Sequence, residues 1–147
     1  ADEVEGDSTW IVGVATVSGC GGLGVILGFE VDSRRIFGFG ERQKTFELNT
    51  GEYSSWANGR DNHLDEGHKG GHSYGDHPFV LIKLNTGAFA GIFFANSNAK
   101  TLHYTHVAKD KSILNFRAIG GILDFYTFFA ENPEDVIKAY HEVIGPA

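Results

Sequence analysis

The chain has 147 residues, 41% of them apolar and 21% charged, a globular balance with room for one core and not for two. A formal charge of -7 without a basic run argues against nucleic acid as a partner, and no apolar stretch reaches the roughly 20 residues that span a bilayer, so neither nucleic acid nor membrane is expected to be bound. Twelve phenylalanines among twenty glycines give a turn-rich β composition, and Cys20, the only cysteine, has no partner for an internal disulfide.

Residues 9–17 are β-branched and aromatic and read as a strand, followed by a glycine-rich turn at 18–22 and a second strand at 23–31. A corner at 32–35 leads to 36–40 and then to 45–48, where apolar and polar residues alternate. From 49 to 76 the texture changes to glycine, acid and histidine with few aliphatics. That length is unusual for a connection in a compact domain, where such stretches are usually binding loops, lids or disordered segments, and it makes 49–76 the place to look for function. Strands at 77–84 and 88–95 flank the hairpin turn Asn85-Thr86-Gly87, and strands at 101–107, 112–119 and 122–130 follow. Asn132 caps a closing helix at 132–145, Pro133 suits its first position, and Glu134 and Asp135 favour the positive end of its dipole. Val136, Ile137, Tyr140 and Ile144 recur at helical spacing as one apolar face. Short turns between closely spaced strands imply antiparallel pairing and a mainly β sandwich with one C-terminal helix, a single domain over 1–147.

Several segments resemble glycoside hydrolase family 31, the α-glucosidase group. Phe37-Gly38-Phe39-Gly40-Glu41-Arg42 resembles its Y-G-L-G-E turn, and residues 93–99, F-F-A-N-S-N-A, resemble its F-x-x-N-S-N-A segment. Residues 119–126 are similar to its I-G-G-I-L-D-F-Y segment nearly letter for letter, and 132–145 resemble the helix leading into its catalytic barrel. The likeness covers 37–146 in order, leaving strands in 1–36 unmatched, and implies a galactose-mutarotase-like antiparallel sandwich over 37–131. It also implies a partner: a catalytic (β/α)8 barrel in the same or a companion chain.

Retaining glycoside hydrolysis needs two carboxyl groups about 5 Å apart. In this family both come from the barrel, and the nucleophile sits in a W-x-D-M-N-E motif that a chain without methionine cannot contain. No catalytic residue and no cofactor is therefore expected here. The resemblance implies instead that the long loop reaches the barrel's sugar pocket, where 56–62, W-A-N-G-R-D-N, is similar to an R-D-T-like stretch that hydrogen-bonds the sugar. Asp61 is the leading contact to an α-glucoside or oligosaccharide, with Arg60, His63 and Trp56 beside it, because a carboxylate accepts two hydroxyls and an indole offers a flat face to a pyranose. The plainer alternative is that Arg60 and Asp61 only brace the loop.

His63, His68, His72 and His77, among Asp61, Asp65, Glu66 and Asp76, have the atom types of a zinc site, but scattered histidines in a glycine-rich loop are commonly just solvated, and no metal is assigned. Glu41 and Arg42 read as bracing their turn, Asn96, Ser97 and Asn98 as a turn held by side-chain-to-backbone bonds, and Asp124 as a paired structural acid with Arg117 as its candidate partner. The acidic start Ala1-Asp2-Glu3 without methionine is unlike a leader, so any leader is expected to be gone already, in keeping with a secreted or secretory-pathway protein. A different reading remains open: a free-standing structural or carbohydrate-binding protein that has lost the barrel and satisfies its strand edges by self-association.

Overall fold

In a computed structural model, residues 24–42, 45–57 and 74–146 are described, together with the backbone of a strand at 11–16. The elements run β1 (Ile11–Thr16), β2 (Val25–Val31), β3 (Arg35–Gly38), β4 (Gly51–Ser55), β5 (Phe79–Lys83), β6 (Phe89–Phe94), β7 (Lys100–Ala108), β8 (Lys111–Ala118), β9 (Phe125–Ala130) and α1 (Pro133–Ile144). They form two antiparallel sheets, ordered β1-β2-β8-β7-β4 and β3-β5-β6-β9. The result is the mainly β sandwich with one closing helix that the strand pattern implied. The segment before Phe37, which matched nothing in the family, supplies β1 and β2, and β2 joins the first sheet through β8.

Alternation decides which side chains enter the core. Along β8 it turns Leu114, Phe116 and Ala118 inward, and along β7 it does the same for Leu102 and Tyr104; Phe29 and Val31 of β2 join them. The second sheet answers with Ile36, Val80, Ile82, Ala90, Ile92 and Phe94. At the centre the Phe94 and Phe125 rings stack with centroids 4.3 Å apart, and Phe116 meets Phe125 edge-on at 5.4 Å. Such pairs add about 0.5–1.5 kcal/mol beyond the area they bury.

The second sheet is apolar on both faces, and α1 covers the outer one. Val136 and Tyr140 are buried there against Phe79 and Leu81, with the Phe79 and Tyr140 rings stacked at 4.4 Å. Gly91 of β6 allows this approach, since a Cβ at that position would stand 2.8 Å from Val136 Cγ1. Asn132 caps the helix as expected, its Oδ1 accepting from Asp135 N at 2.9 Å. One expected member of the apolar face does not bury: Ile144 is exposed, because the last turn of α1 runs past the sheet with Glu142, Val143 and Gly145 also exposed.

Two segments differ from the sequence expectation. Residues 45–48 make only an isolated bridge between Glu47 and Phe37, reinforced by Arg35 holding the Glu47 carboxylate with two nitrogens at 2.9 and 3.0 Å. Conversely, the stretch read as loop from residue 49 opens with β4, an edge strand paired to β7. Gly-Glu-Tyr-Ser-Ser lacks apolar alternation, so the ladder to β7 makes it a strand where local propensity does not.

Candidate functional site

The F-G-F-G-E-R turn is built on positive backbone angles: φ is 99° at Gly38, 63° at Phe39 and 82° at Gly40. A Cβ at Gly38 would meet the Phe79 carbonyl oxygen at 3.0 Å, so glycine is needed there. Phe39 adopts the left-handed conformation and in it sinks its ring fully into the core. Its carbonyl accepts from Arg42 Nε at 2.7 Å, and the Arg42 guanidinium lies over the Phe39 ring at 5.6 Å and the Tyr53 ring at 5.3 Å. Arg42 also donates through Nη2 to the Ser54 carbonyl. Burial lowers its pKa to about 10, which leaves it charged at neutral pH.

Arg42 thus ties the turn to β4, and Glu41 ties it to the far end of the long connection. Gly75 N donates to Glu41 Oε2 at 2.8 Å, and Glu41 N donates to Gly75 O at 3.1 Å. One residue later Asp76 closes the base of the connection. Its Oδ1 accepts from Ser55 Oγ at 2.6 Å and its Oδ2 from Lys100 Nζ at 2.7 Å. The Lys100 side chain is 0% exposed and that of Asp76 17%. The segment between Ser55 and Asp76 therefore starts and ends at one polar clamp made of Glu41, Arg42, Ser55, Asp76 and Lys100. The bracing expected of Glu41 and Arg42 is what they do; the buried Asp76–Lys100 pair is a feature that sequence reasoning missed.

Of the expected sugar contacts, Trp56 is described. It leaves the end of β4, just above the clamp, and is 40% exposed. Arg60, Asp61 and His63 lie outside the described residues, as do His68 and His72. His77 is exposed beside Gly75. Among the described residues no group of three or more His, Cys, Asp or Glu side chains could hold a metal ion. Tyr53, the other aromatic near this loop, has one face covered by Arg42 and its hydroxyl donating to the Asn49 carbonyl at 2.6 Å.

A second turn cluster sits at 96–98 and 119–124. Buried Asn96 donates through Nδ2 to the carbonyls of Gly120 at 2.9 Å and Ile122 at 3.1 Å, and its Oδ1 accepts from Asn98 N at 2.8 Å. Gly121 (φ 83°) lies so close that a Cβ would fall 2.6 Å from Asn98 Nδ2. This fixed turn presents Ile119 and Ile122 to the outside, each 71% exposed. Asp124 is braced by its backbone carbonyl, which accepts from Ala95 N at 2.8 Å. No ion pair joins its carboxylate to Arg117 among the described residues, because Arg117 points outward from β8.

No family model matches the chain. Among curated proteins it is 38% identical to intestinal sucrase-isomaltase of Homo sapiens over 77% of its own length, and 34% identical to the lysosomal acid alpha-glucosidase of Tetrahymena pyriformis over 75%. It spans 6% and 12% of those proteins, a small part of each. Among solved structures it superposes on a cycloalternan-degrading enzyme from Trueperella pyogenes with a TM-score of 0.63 and 17% identity, over 83% of this chain and 17% of that one. No helix among the described residues is long and apolar enough to cross a membrane.

Proposed function

From the premise that this chain is a partial domain homologous to glycoside hydrolase family 31, we propose that it is a non-catalytic sandwich that packs beside a (β/α)8 barrel and lends a loop to the barrel's sugar pocket. The observation that carries this reading is the polar clamp. Five side chains from four separate places in the sequence are spent on holding together the two ends of one connection, an arrangement suited to a loop that must arrive at a fixed position. Asp61, Arg60, His63 and Trp56 are the contacts this loop would offer an α-glucoside or oligosaccharide. The carboxyl pair that cleaves the glycosidic bond would come from the barrel. Ile119 and Ile122, on their fixed turn, support the docking half of the proposal, since exposed apolar side chains on rigid backbone suit a surface that another domain covers. Passage through the secretory pathway belongs to the same proposal, as relatives include proteins named lysosomal.

Two measurements test it. Sequencing the transcript past codon 147 is expected to reveal a barrel in frame; a stop codon there would favour the free-standing reading with self-association. In a sugar-binding screen on the 147-residue chain, Asp61→Ala should abolish any α-glucoside binding that maps to residues 56–63. Binding at those residues that is equally strong in Asp61→Ala would remove Asp61 from its role, and no binding by either protein would leave the chain a scaffold only.

A further inference from the structure

The outer face of the first sheet, away from the core and from α1, holds a concavity of about 440 Å³ lined by Ile26, Glu52, Thr101, His103, Asn115 and Arg117. The strand registers explain why these residues meet. Glu52 of β4 stands opposite His103 of β7, which stands opposite Asn115 of β8, which stands opposite Gly28 of β2. In the next row Thr101 faces Arg117, which faces Ile26. Gly28 ends the first row without a side chain and leaves that end of the face low.

What sets this face apart is unused hydrogen-bonding capacity. None of the side chains of Glu52, Thr101, His103, Asn115 and Arg117 makes a hydrogen bond or ion pair among the described residues. Opposite charges are present but not paired. At the far end of the same face the pattern is the reverse: Lys111 pairs with Glu30 at 2.8 Å and reaches Asp32 at 3.6 Å. The sheet backbone fixes the five Cα positions, so a ligand would have only the side chains to order.

We infer that this concavity binds a neutral saccharide. The donor set selects that chemistry. An anion such as phosphate is held by several cations, and this face has one guanidinium. A divalent cation takes six or more oxygen ligands with multiple carboxylates, and there is one carboxylate. A sugar ring presents hydroxyls that both donate and accept. Glu52 accepts two, Arg117 donates to two, Asn115 does both, and Ile26 offers an apolar surface to ring C–H groups. From β4 to β8 is two strand spacings, about 10 Å, which suits one or two pyranose rings. The lining comes from β2, β4, β7 and β8 alone, so the proposed site needs no barrel and is a separate candidate from the residues at 56–63.

The test is a two-dimensional amide NMR titration of the whole chain with methyl α-glucoside and with maltotriose. The expected result is saturable shifts at residues 52, 101, 103, 115 and 117 with millimolar affinity. Glu52→Gln and Arg117→Met should each weaken binding by about tenfold while amides elsewhere stay in place, as expected for exposed side chains. Shifts confined to 56–63, affinity unchanged in both variants, or no shifts with either sugar would overturn the assignment. Inorganic phosphate binding as tightly at the same amides would overturn the ligand class.

Discussion

Replacing Asp76 with Asn leaves the Lys100 ammonium enclosed on the inner face of the first sheet without its carboxylate. Lys100 lies in register between two other buried residues, Ser55 on β4 and Ala118 on β8, and its side chain has no exposed surface of its own at which to be solvated in place. Breaking a buried ion pair from one side costs about 3–5 kcal/mol, against a total stability of about 5–15 kcal/mol for an ordinary domain. At about 2–4 °C per kcal/mol for a chain of this length, the melting temperature should fall by roughly 6–20 °C. The reverse variant, Lys100→Met, should be milder. The orphaned Asp76 retains the Ser55 hydroxyl at 2.6 Å and its side chain is partly exposed, so solvent screens what remains. The double variant should then recover about 1–3 kcal/mol relative to the sum of the single effects, because an apolar replacement of both partners leaves no buried charge. Urea unfolding followed by tryptophan fluorescence and circular dichroism measures all three, with an unchanged slope confirming two-state behaviour. The reasoning fails if Lys100→Met proves more damaging than Asp76→Asn, or if the two single effects simply add.

Gly91→Ala should cost about 1–3 kcal/mol by driving a methyl into Val136 and Phe79, and hydrogen exchange should place the loss in α1 before the sheets. Asn96→Ala should cost about 1–3 kcal/mol, since the carbonyls of Gly120 and Ile122 lose a shared donor; thermal melts give the loss, and amide shifts should localise to 96–98 and 119–124. Acid should weaken the fold through two exposed carboxylates. Hydrogen bonding from Arg35 holds Glu47 below the usual carboxylate range, and Lys138, followed by Asn132, does the same for Asp135. Because both folded-state values are depressed, their contribution is present above the unfolded pKa of about 4 and is lost as pH falls through the folded values. Stability measured from pH 6 downward, at roughly one-unit steps, should show that decline, and Arg35→Ala should make it shallower.

Most strands that alternate or run apolar were legible, as were the Asn85–Gly87 turn and the capped helix; 45–48 alternates but is too short a run to build more than the bridge from Glu47 to Phe37. β4 was not legible: its residues lack a pattern of their own, and a partner strand about 45 residues away, where Ser55 meets Lys100, cannot be read from local propensity. 

That ladder sets Tyr53 opposite Leu102 and is made only when β7 is already in place. The Asp76–Lys100 pair was missed for a related reason. Lys100 is in phase with Leu102 and Tyr104, so alternation alone points its side chain into the core, and a buried ammonium demands a carboxylate. That inward phase was the available signal; nothing in the spacing says which acid answers it. Within the candidate loop, likeness to a family motif singled out Arg60, Asp61 and His63, which lie outside the described residues, whereas the side chains anchoring the loop come from the F-G-F-G-E-R turn, β4, Gly75-Asp76 and β7. Likeness to a motif could name candidate contacts, but only the fold shows what anchors the two ends of the stretch that carries them.

Because Ser55 is bonded to Asp76 and Asp76 to Lys100, the two ends of the intervening stretch are closed on the sandwich itself. With the ends already closed, doubling the length of a flexible insert between those anchors adds only about 0.6 kcal/mol of closure entropy. Length between the anchors can thus vary at little thermodynamic cost, provided that Ser55, Asp76 and Lys100 are kept.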